Sequence, residues 1–433
     1  MADSHPSGWP RRALKELVDD RGITYGVVQP GQPQAAGTPL VRVNNFTSSG
    51  LQLDDVMRID PAIAARYDRS RLIGGEVLIT LVGSIGQVVI ARRELAGWNV
   101  ARAVGVVPVR PEISSRWVAW CLQGPEARRY LDARLNTTVQ KTLNLRDLAA
   151  LEIPVPPDAE VGAITSVLGS IDDKIDSNRR LAALLEQTAA TLFRARFVDF
   201  VGVEEFEENE IGRIPRGWDV GTIADLCIAV RNGGTPRRME TAYWDDGTIP
   251  WFKTGELTDG YLPTRSEILI TDRGLSESNC RLLPRGSVLV AIYAAPTVGR
   301  LGILDAPGAT NQACTALTPK NEVGSPFLFL TLRNLREYFN GLASGSAQQN
   351  ISKAIVESAP VLLPPEHALG DFNRIVLSQF ELLAELGREA HTLAMVRDAL
   401  LPRLISGEIR VPDTADPDQV IEPLPASLAR AVS

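Results

Sequence analysis

Between Val161 and Leu192 the apolar positions recur every three and four residues. Val161, Ile164, Leu168, Ile171, Ile175, Ala182, Leu185, Ala189 and Leu192 form a heptad seam in which Asn178 is the one polar position. A second run, Val376, Phe380, Leu383, Ala390, Ala394 and Leu401, has comparable spacing, with Gly387 as its weak point. No proline occurs between Pro157 and Pro215 or between Pro365 and Pro402, so each stretch can hold a helix of several turns. If residues 158–197 are all helical, a rise of about 1.5 Å per residue makes a rod of roughly 60 Å, which is a spacer. Elsewhere the rhythm changes: "GGEVLITLVGSIGQVVI" (74–90) is an apolar alternating run, a Gly-containing turn and a second strand.

The chain is also written twice. Gly8 and Trp9 match Gly217 and Trp218 at an offset of 209, and Leu14 and Leu17 are answered by Ile223 and Leu226. The strand-turn-strand at 74–90 is answered by "RGSVLVAIYAAPTVGRLGI" (285–303), Asn99 and Ala101 by Asn311 and Ala313, Gln140 by Gln348, and "IPVPP" (153–157) by "VLLPP" (361–365). Every offset falls between 208 and 213, and the order is block, helix, block, helix. A single seam of this kind suits an ordinary core helix. Two of them, each closing a copy of the same block, predict helices packed against each other. Antiparallel pairing then relates the blocks by an approximate two-fold axis.

The expected fold class is α/β, two α/β domains with pseudo-two-fold symmetry separated by a pair of long antiparallel coiled-coil helices. The boundaries follow as a first domain at 1–158, a central spacer helix at 159–200, an acidic linker at 201–214, a second domain at 215–365, a distal spacer helix at 366–408 and a disordered tail at 409–433.

A net charge of -7 argues against nucleic acid until its distribution is considered. Residues 1–158 carry 19 Lys+Arg against 16 Asp+Glu and residues 215–365 carry 14 against 14, whereas 159–214 and 366–433 each carry 6 against 11. The acidity therefore sits outside the blocks, while all seven tryptophans sit inside them and most block cations are Arg, the residue suited to phosphate and guanine. An Arg-rich composition that reflects codon usage alone is the other reading. Cys121, Cys227, Cys280 and Cys314 have no paired spacing, and His5, His367 and His391 are too few for a histidine-based mechanism. No secretory signal layout and no membrane-length apolar run are present, so a cytoplasmic protein without membrane contact is expected.

Two patterns imitate catalytic or RNA-binding motifs. Pro157, Asp158, Asp172, Asp173 and Lys174 satisfy a loose PD…DxK search, but residues two apart on a helix point away from each other and cannot converge on one ion. Gly83, Ser84, Ile85 and Gly86 match a GXXG loop, against the plainer reading of a hairpin turn. The chain has no Asn-Pro-Pro-aromatic tetrapeptide, no Gly-rich cofactor loop after a clear strand and no Walker loop, so methyl transfer and ATP hydrolysis are not expected of it.

For DNA contact the strongest stretch is "RNGGTPRRMETAYWDDGTIPWFKTGEL" (231–257). Arg237 and Arg238 offer cations beside Tyr243 and Trp244, and Lys253, Thr254 and Glu256 form a second polar cluster suited to groove edges. A solvated loop over core aromatics Trp244 and Trp251 is the alternative. In "VRVNNF" the reading is a strand with Arg42 and Asn44 on one face and Asn45 on the other, where Asn either reads adenine or ends the strand. Gln140 with Lys141, and Gln348 with Gln349, stand at matching places before the Pro-Pro boundaries, as contacts or as a shared turn. Asn178 either fixes helix register or sits at a surface or helix-end position.

Three stretches resemble a known family. "LGSIDDKIDSNRRLAALLEQTAATLFRARFVDF" (168–200) followed by "IPRGWDVGTIADL" (214–226) is similar to the central region of the specificity subunits of type I restriction-modification enzymes, and "ALLPRLISGEIRV" (399–411) to the end of their distal helix. The resemblance implies a non-catalytic subunit whose two target recognition domains read the halves of a bipartite double-stranded DNA target. It implies that the helices, through Ile164, Leu168, Ile171, Ile175, Leu185, Leu192, Phe380, Leu383 and Leu401, set the spacing and dock two methyltransferase subunits, with two restriction-translocase subunits completing the enzyme. S-adenosylmethionine, ATP and Mg are then expected on those partners and no cofactor on this chain. A coiled-coil adaptor without sequence-specific DNA binding is the alternative function, and a single-chain restriction-methylation enzyme a further one.

Overall fold

The structure is a computed structural model that describes residues 8–47, 50–53, 56–135, 141–209, 212–293, 297–344 and 350–411. The chain divides into two compact units, Met1–Asp173 with Leu393–Ser433, and Lys174–Thr392.

In the first unit, strands Thr24–Tyr25, Val104–Val107, Val77–Thr80 and Val88–Ile90 lie in that order in an antiparallel sheet. A smaller sheet sets Thr38–Val41 between Arg58–Ile59, antiparallel, and Asn99–Val100, parallel. Strand Arg11–Ala13 pairs with Glu152–Pro154, which ties the two ends of the block together. Helix Ser115–Gln123 is capped by Ser114, whose Oγ accepts from the Trp117 amide at 3.3 Å, and Pro125 opens the next helix where its missing N–H costs nothing.

A 40-residue helix, Asp158–Phe197, starts directly after the Pro156–Pro157 pair; it is called the central helix below. Its first part is fastened to the block. Trp120 Nε1 donates to Asp172 at 2.8 Å, and the Arg116 guanidinium grips Asp173 at 2.5 and 3.1 Å. Ile164, Val167 and Leu168 share the core with Leu401, Leu404 and Ile405 of the second long helix, Glu366–Ile405, the distal helix. Arg397 reaches Asp172 at 3.1 Å and Arg410 reaches Glu160 at 3.3 Å, so in this unit the two segments run antiparallel.

The second unit repeats this order of elements. Strands Cys227–Asn232, Cys314–Pro319, Val288–Ala291 and Leu301–Leu304 form the sheet, extended by Gly260–Leu262 parallel to the last of them. Ile249–Phe252 lies between Leu269–Ile270, antiparallel, and Ala309–Thr310, parallel. Asp219–Thr222 pairs with Pro360–Leu363, and helices Gly324–Asn334 and Arg336–Ser344 occupy the places of the two in the first unit. Gly8 and Gly217, which open the repeat, both have positive φ, at 65° and 81°. Within the stretch read as an acidic linker, Phe206–Asn209 and Gly212–Pro215 form a hairpin.

One equivalence is corrected. Leu40 pairs with Asn99 and Trp251 with Ala309, so Ala309, not Asn311, is the counterpart of Asn99. The connection from Ile303 to Ala309 is three residues shorter than that from Ile90 to Asn99, and the matching asparagines are a coincidence of that shortening.

The seam is also adjusted. Ile164, Leu168, Ile175, Phe380, Leu383 and Leu401 are buried as expected, whereas Ile171, Leu185 and Leu192 are half-buried. In the second unit the packing is carried instead by Phe193 and Phe197, whose rings lie 6.2 and 5.1 Å from that of Phe372, with Phe327 4.9 Å from Phe197. These aromatics add edge-to-face contact to their burial, and strict heptad counting steps past them. Asn178 is 3 % exposed and faces inward, and its Nδ2 donates to Glu389 on the distal helix at 2.7 Å. Where Gly387 and Ala390 thin the second seam, a cavity of about 190 Å³ opens, walled by Ala182, Glu186, Tyr261 and Phe380.

Among the described residues no helix is long and apolar enough to cross a membrane. All four cysteines are free and buried, and burial pushes the Cys227 and Cys314 thiols up to about 12, so neither is a ready nucleophile. His5 and the tail from residue 412 lie outside the described residues.

Candidate nucleic-acid interface

The loop joining Cys227–Asn232 to Ile249–Phe252 begins with a strand crossing. A side chain at Gly233 would meet the carbonyl oxygen of Asn311 at 2.0 Å, and one at Gly234 the backbone of Asn279 at 2.5 Å. Glycine there lets the Gly234 amide reach Thr310 O at 2.9 Å, while Gly234 O accepts from Trp251 Nε1 at 2.9 Å and lies 3.1 Å from Cys280 Sγ. The far side is pinned as well. Trp244 Nε1 donates to Arg237 O at 3.1 Å, and Tyr243 donates its hydroxyl to Glu277 at 2.9 Å. Arg273 holds the Glu277 carboxyl below its usual range, so that acceptor stays charged.

On this stem the two arginines part company. Arg238 lies over the Trp244 ring at 4.7 Å and the Trp251 ring at 5.4 Å, a cation held against aromatic faces. Arg237 points to solvent, and among the described residues its guanidinium makes no hydrogen bond or ion pair. Trp251 is a core residue, and Trp244 packs against the same small cluster, as the alternative reading of this loop expected.

The second polar cluster is bound into the fold. Glu256 accepts from the amides of Lys253 at 2.9 Å and Glu267 at 3.1 Å and from Ser266 Oγ at 2.8 Å, while Lys253 Nζ pairs with Glu267 at 2.9 Å. Thr254 is half-buried in the same short 3-10 turn.

The first block uses an asparagine for the same task. Asn45 Oδ1 accepts from the Arg42 amide at 2.8 Å and its Nδ2 donates to Gln52 O at 3.1 Å. Residues 43–45 are therefore a 3-10 turn and not the strand expected from "VRVNNF", which ends at Val41. The alternation of faces predicted for Arg42, Asn44 and Asn45 does not apply; Asn45 is buried, Arg42 half-buried and Asn44 exposed. Competition from the Asn45 side chain for local backbone groups ends the strand, a signal that the residue type carries and alternation does not. Lys141 is exposed, and Gln140, Gln348 and Gln349 lie outside the described residues.

Comparison with known proteins shows what the chain is similar to. Residues 215–381 match the family model described as type I restriction modification DNA specificity domain. The MjaIX specificity subunit of a type I restriction enzyme from Methanocaldococcus jannaschii is 25% identical over 355 residues, 78% of each chain. The HindI specificity subunit from Haemophilus influenzae is 24% identical over 340 residues, 64% of this chain and 73% of that one. Residues 215–381 thus carry a type I restriction modification DNA specificity domain, and most of the chain is similar to type I restriction enzyme specificity subunits. A solved type I restriction-modification S subunit from M. genitalium shares the fold, with a TM-score of 0.54 at 15% identity over 93% of this chain and 98% of that one.

The motifs that imitate catalysis have other employment in this chain. Asp172 and Asp173 are taken up by Trp120, Arg397 and Arg116, and Lys174 pairs with Glu389 at 3.2 Å. Among the described residues no group of three metal-binding side chains occurs. Gly83 and Gly86 lie in the hairpin between Val77–Thr80 and Val88–Ile90, where the Gly86 amide donates to Thr80 O at 3.0 Å.

Sequence reasoning did not single out Asp305. It is buried, and it accepts from Arg285 at 3.3 Å and from Arg388, while Arg285 also reaches Glu381 at 2.8 Å. Arg388 and Glu381 belong to the distal helix, so this network fastens that helix to its block, as Trp120 and Arg116 fasten the central one.

Proposed function

We propose that this specificity subunit reads a bipartite double-stranded DNA target, each block serving as a target recognition domain for one half. The observation that carries the reading is the recurrence of one strand order in both blocks, each followed along the chain by a 40-residue helix. Two copies of one reader in one chain suit a split target, as the two copies in dimeric DNA-binding proteins suit paired half-sites. The domains correspond to residues 1–158 and 215–365, with the helices as a spacer of fixed length.

In the second block Arg237 is exposed and available to phosphate or guanine, beside Arg238 on the Trp244 ring. Asn44 and Lys141 are exposed candidates in the first. Asn45, Glu256 and Lys253 act by shaping their turns.

Two methyltransferase subunits dock on the helices, where Leu181, Leu184, Leu377 and Leu382 are exposed apolar residues, and two restriction-translocase subunits complete the enzyme. S-adenosylmethionine, ATP and Mg reside on those partners, and the assembly works in the cytoplasm. Mapping methylated adenines in cells that carry the assembled methyltransferase tests the reading. The expected result is one motif with two specified halves and a fixed gap; methylation without sequence preference, or a motif read by only one block, overturns it. Lengthening both helices should change the gap and leave the two halves unaltered.

A further inference from the structure

The two blocks share their scaffold, so whatever separates one half-target from the other resides where they differ. Val27 N donates to Val100 O at 2.7 Å and Gly234 N to Thr310 O at 2.9 Å, and Val41 pairs with Val100 as Phe252 pairs with Thr310. Gly26 and Gly233 therefore occupy one structural position, and at both a side chain would strike the adjacent strand, at Val100 O (1.7 Å) and at Asn311 O (2.0 Å). Past that crossing the blocks diverge. Gly26 to Gly233 is an offset of 207, whereas Leu40 to Trp251 is 211, so the second loop is four residues longer. No charged residue lies between Gly26 and Thr38, but the longer loop holds Arg237, Arg238, Met239 and Glu240 in succession.

At the apex Met239 is 95 % exposed, the most exposed large hydrophobic side chain among the described residues. Its support is not loose. Arg237 O accepts from Trp244 Nε1 and from the Glu240 amide at 3.1 Å each, and Arg238 is stacked on two indoles. An apolar tip on a pinned loop, directly preceded by an unpaired cation and a stacked one and followed by Glu240, has the form of an apolar base contact: a side chain that meets a thymine methyl or the face of an unstacked base while the preceding cations hold the phosphates. We propose that Met239 makes such a contact and helps to specify the half-target read by the second block. The inference rests on the reading of that block as a target recognition domain.

The test uses the assembled methyltransferase and synthetic duplexes carrying its mapped motif, beside copies in which each thymine of the second half is replaced by deoxyuridine. Wild type is measured first, and a complex without sequence preference overturns the recognition-domain reading itself. Given that preference, Met239→Ala should weaken binding to the motif roughly fivefold or more, and Met239→Leu should retain it. If the partner is a thymine methyl, deoxyuridine at one position weakens wild type and leaves Met239→Ala unaffected. If it is an unstacked base, deoxyuridine is neutral and 2-aminopurine at the contacted step brightens with wild type alone. Met239→Ala within twofold of wild type on every duplex, or a variant that reads DNA normally but fails to retain partner subunits, overturns the proposal.

Discussion

Asn178 on the central helix donates to Glu389 on the distal helix at 2.7 Å, and the same carboxylate accepts from Lys174. The polar break in the first seam is thus satisfied across the helix pair, the arrangement by which a single polar position selects one register. A double-mutant cycle of Asn178→Ala and Glu389→Ala, read by urea unfolding, should give a coupling of about 0.5–1.5 kcal/mol. The Asn178 hydrogen bond, with Lys174, holds the Glu389 carboxyl below the usual glutamate range. A depressed acid stabilises the fold above its unfolded value, so this contribution is present at neutral pH and lost as acid protonates Glu389. Coupling that is equal at pH 7 and pH 3 would contradict it.

Glu186 has the opposite sign. Burial in the cavity wall raises its carboxyl, outweighing the nearby Arg333. A raised acid favours the fold while protonated and opposes it as pH climbs through the shifted value. Glu186→Gln should therefore raise the melting temperature at pH 7 and leave it nearly unchanged at pH 4. A calorimetric scan at the two pH values checks the difference.

At Gly387 an added Cβ meets nothing within 4 Å, although the residue sits inside the distal helix. Gly387→Ala should stabilise the protein by about 1 kcal/mol through helix propensity alone, measured as a shift of the urea midpoint.

Arg237 and Arg238 should behave differently despite their adjacency. Arg237→Ala should weaken DNA binding at one half-target by about 1–3 kcal/mol and leave the melting temperature unchanged. Arg238→Ala removes the cation stacked on Trp244 and Trp251 and should also cost about 0.5–2 kcal/mol of folding stability. Comparing thermal unfolding with duplex titration separates the two roles.

Periodicity and self-similarity carried most of the architecture. Both long helices start directly behind a Pro-Pro pair and run through the proline-free stretches, but they end at Phe197 and Ile405, three residues before the expected 200 and 408, and the distal helix takes Pro402 into its last turn. The opening Gly-Trp signature was visible twice because a positive φ requires glycine at Gly8 and again at Gly217. The polar clusters were harder to read. Asn45 and Glu256 are chemically different, yet each accepts the amide three residues upstream, Arg42 or Lys253. Any side chain that returns an oxygen over that distance serves such a turn, and an oxygen able to do so looks equally suited to a base edge. Phe193 and Phe197 escaped for another reason: apolar residues next to a heptad position are invisible to a count that admits one residue per turn.

The crossing at Gly26 and Gly233 leaves no room for a β-carbon, while Met239 at the end of the longer loop touches solvent on nearly every side. Base and apex are thus under opposite constraints, the former chemically frozen and the latter open to exchange. On the proposed reading of the second block, new specificities should be selectable from libraries diversified at Arg237, Met239 and Glu240, with Arg238 kept on its indoles and the sheet in its register.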